Sequence, residues 1–242
     1  MNRLKDIKVV SFDYGGTLDL PGTHWFKFLW ELVQTNFIQD IPVSKEEFWE
    51  AYVYGEQQLE RTVVPPDTGL LDTLKCKCRY EMDYLAEKEL LPDISEEGKK
   101  RLVAHFASWV ARSIQEGDNY KENGEVLSNL SKTYQVNVVS NYYGNLQTIL
   151  DEAGFSPYIT HAIDSTVVGI RKPDSGIWKL AIEASGCLPE EMLVVGDSMK
   201  NDILPAESLG CVTAWLTKET PKGYNGIVIE NLFELVQMLN AV

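Results

Sequence analysis

The feature that most limits what this chain can fold into is a break in its periodicity. Residues 8–13, KVVSFD, read as a buried strand ending in an aspartate, and a Gly-rich turn of Tyr14, Gly15, Gly16 and Thr17 follows. Residues 20–118 then carry only helical patterns. After Gly117 strands and helices alternate to the end. The pattern predicts helices at 120–133, 145–153, 175–185, near 202–209 and at 231–239. Between them it predicts strands at 136–140, near 159–163, at 192–196, at 212–216 and near 227–229. Such alternation implies right-handed crossovers and a parallel sheet covered by helices on both faces. The predicted fold class is therefore α/β, a doubly wound parallel sheet. Its core is discontinuous, over 1–19 and 119–242, and an all-helical domain, 20–118, is inserted after the first strand.

The insert shows four apolar faces. Trp25, Phe26, Leu29, Leu32 and Val33 share one. Ser44 with Glu47 forms a capping box ahead of Phe48, Trp49 and Tyr52. Leu71, Leu74, Cys78, Met82 and Leu85 make a third stripe, and Leu102, Phe106, Trp109, Val110 and Ile114 a fourth. The cluster of Trp25, Phe26 and Trp30 reads as packing inside the insert rather than as a platform for a ligand. Cys76 and Cys78 turn to different faces of their helix, so Cys78 reads as a buried thiol and not as half of a redox pair.

Composition removes several function classes. The formal charge is −14, from 22 Lys+Arg against 36 Asp+Glu. A nucleic-acid or anionic-membrane binder needs the opposite footprint. No apolar run approaches the roughly 20 residues of a spanning helix. The first residues run straight into a strand, leaving no room for a signal peptide. Cys76, Cys78, Cys187 and Cys211 show no metal-ligand spacing, and reduced thiols in a cytoplasmic protein are expected.

The chemistry gathers at the carboxyl ends of the strands, where open parallel sheets bind ligands. The first strand ends in Asp13. The second ends in Ser140-Asn141. The loop after the third carries Gly169-Ile170-Arg171-Lys172-Pro173. The fourth ends in Gly196-Asp197-Ser198, with Asp202 one helical turn on. Taken singly, each has a bland reading: Asp13 or Ser140 as a cap, Lys172 as a solvated loop residue, Asp202 as the start of the helix at 202–209. Taken together they supply a nucleophile, a hydroxyl, a cation and carboxylates suited to a hard metal.

In order, spacing and strand placement, DYGGT at 13–17, SN at 140–141, GIRKP at 169–173 and GDSMKND at 196–202 resemble the four motifs of the haloacid-dehalogenase superfamily. The resemblance covers essentially the whole chain and is to members with a helical cap after the first motif. It implies a Rossmann-like core and a Mg²⁺-dependent phosphohydrolase acting on a small phosphorylated metabolite. Asp13 would attack phosphorus to give an aspartyl-phosphate. Asp13, Asp197 and the Gly15 carbonyl would ligate Mg²⁺, with Asp202 completing the acidic wall. Ser140 and Lys172 would hold the phosphoryl oxygens, and the amides around Gly16 and Thr17, with Asn141, would bind the phosphate.

One position departs from the family pattern. Most of its phosphatases carry aspartate two residues after the nucleophile, to protonate the leaving group and then activate water. Here that residue is Gly15. A positioned acid–base contributes ~10²–10⁴-fold, or roughly 3–5 kcal/mol of barrier. Three readings stay open: a phosphohydrolase that is slow or limited to good leaving groups, a phosphonatase-like C–P hydrolase using a cap lysine such as Lys27 or Lys45, and a non-catalytic homologue that binds a phosphometabolite or a protein. The intact Gly196-Asp197-Ser198 argues against a metal-free dehalogenase. His24, where the chain enters the insert, is a candidate stand-in for the missing group. Tyr142 and Tyr143 are candidates for the pocket border.

Overall fold

The computed structural model describes residues 3–218 and 223–241. Six parallel strands form one sheet in the order β3-β2-β1-β4-β5-β6. They are β1 (Val9–Phe12), β2 (Gln135–Ser140), β3 (His161–Asp164), β4 (Met192–Gly196), β5 (Val212–Leu216) and β6 (Ile227–Ile229). Each lies where the pattern predicts it. The middle strand, β1, pairs with β2 through Val10↔Val136 and with β4 through Val10↔Leu193. The order reverses between β1 and β4, which opens a crevice at their carboxyl ends.

Period-2 alternation explains why both faces are covered. Val10, Phe12, Val136, Val138, Leu193 and Val195 point into one apolar cluster, shared with α5 (Asp118–Leu130), α6 (Leu146–Glu152) and α10 (Leu232–Asn240). Val9, Val139, Met192 and Val194 point into the other, against α8 (Gly176–Ser185) and α9 (Leu204–Ser208). A short α7 (Ser165–Val168) follows β3.

Between β1 and β2 the chain is helical, as expected. It forms α1 (Trp25–Leu32), a π-helical turn over Val33–Phe37, α2 (Lys45–Arg61), α3 (Leu70–Glu87) and α4 (Glu96–Gln115). The capping box at α2 is present in both directions, Glu47 N to Ser44 Oγ at 3.2 Å and Ser44 N to Glu47 Oε2 at 2.7 Å. Ser95 caps α4, so that helix starts ahead of its apolar stripe. Two stripes shift by a residue. Leu71 and Trp109 are exposed, while Leu70 and Val103 are buried. On α3 the buried face is Leu70, Leu74, Lys77, Cys78, Glu81, Met82 and Leu85, an i, i+4, i+7 progression that takes in two charged residues.

These helices dock over the loop after β2. Leu70 N donates to Glu152 Oε2 at 2.8 Å, placing an acid at the start of α3. Asn145 Nδ2 donates to Thr68 O at 2.7 Å and to Thr73 Oγ1 at 2.8 Å. Arg171 joins Glu60 at 2.8 Å. No helix among the described residues is long and apolar enough to cross a membrane. All four cysteines are free thiols.

Candidate active site

Asp13 follows the last residue of β1, and its N–H continues the ladder to Val195 O at 2.9 Å. Its side chain is thereby delivered to the crevice beside β4. Lys172 reaches the same point from the loop after α7. Its Nζ lies 2.6 Å from Asp13 Oδ1 and 2.7 Å from Asp202 Oδ1. All three side chains are buried. Burial alone would lower the Lys172 pKa, but the two carboxylates override it and hold the ammonium above its ordinary value. Asn141, expected to bind phosphate, is hydrogen-bonded to the backbone of Lys172. Its Oδ1 accepts Lys172 N at 2.8 Å and its Nδ2 donates to Lys172 O at 3.0 Å. It thus fixes the backbone that carries the cation.

Asp197 completes the group. Ligand atoms of Asp13, Asp197 and Asp202 lie within 4.8 Å of one another. Three carboxylates face one ammonium, and the imbalance shows at Asp197 and Asp202. Burial, then the charges of Asp13 and Asp202, push Asp197 up to about 8. Asp202 is pushed up to about 6 by burial, against the opposing pull of Lys172. Asp202 does not start a helix. Ser198 is the cap, and Asp202 sits inside the π-helical turn Met199–Ile203, reaching back so that its Oδ2 accepts Ser198 N at 3.1 Å. Gly196 lets it in: a Cβ there would stand 2.5 Å from the Asp202 Cβ.

The turn after Asp13 is held by a residue the motif reading passed over. Asp19 is buried. Its Oδ1 accepts Gly16 N and Leu20 N, each at 2.6 Å, and its Oδ2 accepts Trp25 Nε1 at 2.8 Å. The Gly16 amide, expected to cradle phosphate, is therefore occupied. So is the Thr17 amide, which donates to Tyr14 O at 3.1 Å. Burial drives the Asp19 pKa up to about 7, while these N–H groups pull the other way. Gly16 is required for shape. Its φ is +81°, and a Cβ would lie 2.5 Å from Asp197 Oδ2. The signal for Asp19 was an acid just past a Gly-rich turn, where only bonded carboxylates survive burial.

Asp13, Gly15, Ser140, Asn141, Lys172, Asp197 and Asp202 all line one cavity of about 230 Å³. Tyr142 and Tyr143 border it, as expected. Its far wall comes from the helices between β1 and β2, and includes His24, Trp25, Tyr52, Glu56 and Lys77. Of the aromatic cluster, Trp25 faces the cavity, while Phe26 and Trp30 pack on Phe48. Lys27 and Lys45 are not in its wall; Lys77 is.

His24 is on the wall but badly placed to carry a proton. Its Nδ1 caps α1 by accepting Phe26 N at 3.2 Å. The neutral ring then holds its hydrogen on Nε2, and an imidazolium would set N–H against N–H. Burial, then the nearby Lys77, also lower its pKa.

Known proteins share the sequence pattern and the fold. The sequence pattern of the haloacid dehalogenase-like hydrolases matches residues 7–210. A pyrimidine 5'-nucleotidase, YjjG, of Escherichia coli (strain K12) is 29% identical over 120 residues, 47% of this chain and 53% of that protein. A phosphoglycolate phosphatase of Vibrio parahaemolyticus is 24% identical over 230 residues, 91% of this chain and 86% of the other. The first three curated relatives are matched over 36–53% of their own length. The HAD-hydrolase YfnB of Bacillus subtilis, solved bound to magnesium, shares the fold with a TM-score of 0.61 at 20% identity, over 97% of this chain and 99% of the other. With the pattern spanning β1 to β4 and all four strand-end motifs, the chain belongs to the haloacid dehalogenase-like hydrolases.

Proposed function

We propose that the chain is a Mg²⁺-dependent phosphohydrolase that frees phosphate from a small phosphorylated metabolite, and that Gly15 limits it to good leaving groups or slow turnover. One observation carries this reading: Lys172 Nζ bridges Asp13 Oδ1 and Asp202 Oδ1, with Asp197 in the same cluster, at the end of one cavity. Residues 1–19 and 119–242 act as the hydrolase core and residues 20–118 as its cap.

The carboxylates fit a hard divalent cation, because oxygen donors are crowded together and one lysine leaves Asp197 protonated near neutrality. Asp13, Asp197 and the Gly15 carbonyl would hold Mg²⁺, with Asp202 beside them; when bound it neutralises charge between these acids and the phosphate. Asp13 Oδ1 is taken by Lys172, so Oδ2 attacks phosphorus and the ester oxygen leaves with its electron pair. Lys172 and Ser140 hold the phosphoryl oxygens as charge shifts. No carboxyl at position 15 protonates the leaving alkoxide, nor later takes a proton from the water that attacks the aspartyl-phosphate. Aryl and acyl phosphates should therefore outrun alkyl phosphates.

The C–P alternative needs a free amine to form an imine. The cap lysine on the cavity wall, Lys77, is held as an ammonium by Glu56 despite its burial, which disfavours that chemistry. The four free thiols accord with a cytoplasmic place. The test is a Mg²⁺-dependent screen of phosphorylated metabolites and aryl phosphates, with Asp13→Asn as blank. Phosphate release that vanishes in the blank supports the reading. A protein that binds Mg²⁺ but releases nothing from any substrate would return it to the non-catalytic homologue.

A further inference from the structure

The cavity wall away from Asp13 carries its own charge pair. Lys77, on α3, is buried. Its Nζ is paired with Glu56 Oε1 and lies 3.9 Å from Glu81 Oε1. It also stands 4.1 Å from the centre of the Tyr52 ring and 5.6 Å from that of Trp25. Glu56 Oε2 accepts the Tyr143 hydroxyl at 2.6 Å. Behind them Glu81 is wholly buried with neither carboxyl oxygen hydrogen-bonded, and burial pushes its pKa up to about 8. Gly55 makes space for it, since a Cβ there would lie 2.7 Å from Glu81 Cγ. A buried lysine is costly, and its neighbours Leu74 and Cys78 show what packing alone would place on this face. With Glu81 protonated, the wall presents one ammonium and one carboxylate to the cavity.

We propose that Lys77 and Glu56 form the subsite for the organic part of the substrate and that it selects an uncharged, hydroxyl-bearing group, as in a phosphorylated polyol. The inference rests on the Asp13 end being the phosphoryl site. A hydroxyl can donate to Glu56 and accept from Lys77 at once, while the carbons beside it meet the apolar lining of Leu59, Leu70 and Leu74. A carboxylate drawn to Lys77 meets the charge of Glu56 on the same ammonium, and like-charge juxtaposition is strongly rejected. An amine meets Lys77 itself.

Two probes differ only at this end: sn-glycerol 1-phosphate has a hydroxymethyl where 3-phospho-D-glycerate has a carboxylate, with the same configuration at C2. Their affinities, with inorganic phosphate as reference, are measured by calorimetry on Asp13→Asn protein with Mg²⁺, so binding and not turnover is read. Glycerol phosphate should bind at least about tenfold tighter. In the same background Glu56→Gln keeps an acceptor for Tyr143 and removes the charge, and should move the ratio about tenfold or more toward phosphoglycerate. Equal or tighter binding of phosphoglycerate by the Asp13→Asn protein overturns the proposal, and this comparison stands even where Glu56→Gln does not fold. So does a folded Glu56→Gln protein with an unchanged ratio, or phosphate binding without either probe. If inorganic phosphate itself fails to bind, the phosphoryl site is wrong and this inference falls with it.

Discussion

Restoring a carboxyl group at position 15 tests whether the residue missing from the site is what limits it. There is space for Gly15→Asp. A Cβ at Gly15 would stand 3.5 Å from Trp25 Nε1 and 3.6 Å from Trp25 Cδ1, ordinary van der Waals contact. The glycine is not in the left-handed region, so the substitution brings no backbone strain. Burial beside Asp13 should raise the new carboxyl's pKa, as it does for Asp197 and Asp202, and a carboxyl nearer neutrality is a better proton donor. A well-placed acid–base is worth ~10²–10⁴-fold, or roughly 3–5 kcal/mol. Here the lower end is expected, because Trp25 is tied to Asp19 and can yield little room. We predict a gain of about 10² in kcat/KM for an alkyl phosphate. The assay is rapid mixing with p-nitrophenyl phosphate and Mg²⁺. The natural protein should show a stoichiometric burst of nitrophenolate and then slow turnover, since hydrolysis of the aspartyl-phosphate lacks a base. Gly15→Asp should erase the burst and raise the steady rate. A natural protein with no burst, equal rates on alkyl and aryl esters, and no response to Gly15→Asp would show that another group moves the proton.

Other substitutions probe the frame of the site. Lys172→Met strands Asp13 and Asp202 without a cation, and should cost about 3–5 kcal/mol in urea unfolding at pH 7 and less at pH 5; unchanged stability at pH 7 would mean the pair does not hold the carboxylates. Gly16→Ala forces a Cβ onto Asp197 at a φ of +81°, so it should destabilise the fold and abolish Mg²⁺ binding by calorimetry. Glu81 has a folded pKa of about 8, above its ordinary value, so the folded state keeps a proton that the unfolded chain loses. Its contribution is complete at low pH and fades as pH rises through about 8. Glu81→Gln should therefore match the natural protein at pH 5 and exceed it by more than about 1 kcal/mol at pH 9 in urea unfolding; parallel pH curves would refute the buried acid. Asp19→Ala orphans the N–H groups of Gly16, Leu20 and Trp25 and should cost about 3 kcal/mol or more by thermal or urea unfolding, with a near-neutral effect ruling out its anchoring role.

The core was readable because its signals are local. Val9–Phe12 and Met192–Gly196 are short apolar runs that only a two-sided parallel strand explains, and a chemically loaded residue follows each. Asp13, Ser140, Lys172, Asp197 and Asp202 meet because strand ends meet. The present partners of Gly16, Thr17 and Asn141 were not legible for the opposite reason. Whether an amide or a carboxamide is free depends on partners elsewhere in space, here Asp19, Tyr14 and Lys172. The far wall was hidden by its own pattern. Lys77 and Glu81 fall on the apolar face of α3, where a charge looks like a slip in the stripe until α2 supplies Glu56 and the gap at Gly55.

The bond from Trp25 Nε1 to Asp19 Oδ2 ties the first residue of α1 to the loop that carries the nucleophile. These belong to opposite walls of the cavity, so any widening between them must break that bond. A hydrogen bond to a charged carboxylate is worth about 1.5–3 kcal/mol, which leaves it broken for between about one part in ten and one in two hundred of the time. Indole emission responds to the loss of such a partner, so in a chain whose other five tryptophans are replaced by Phe, Trp25 would report how often the seam opens.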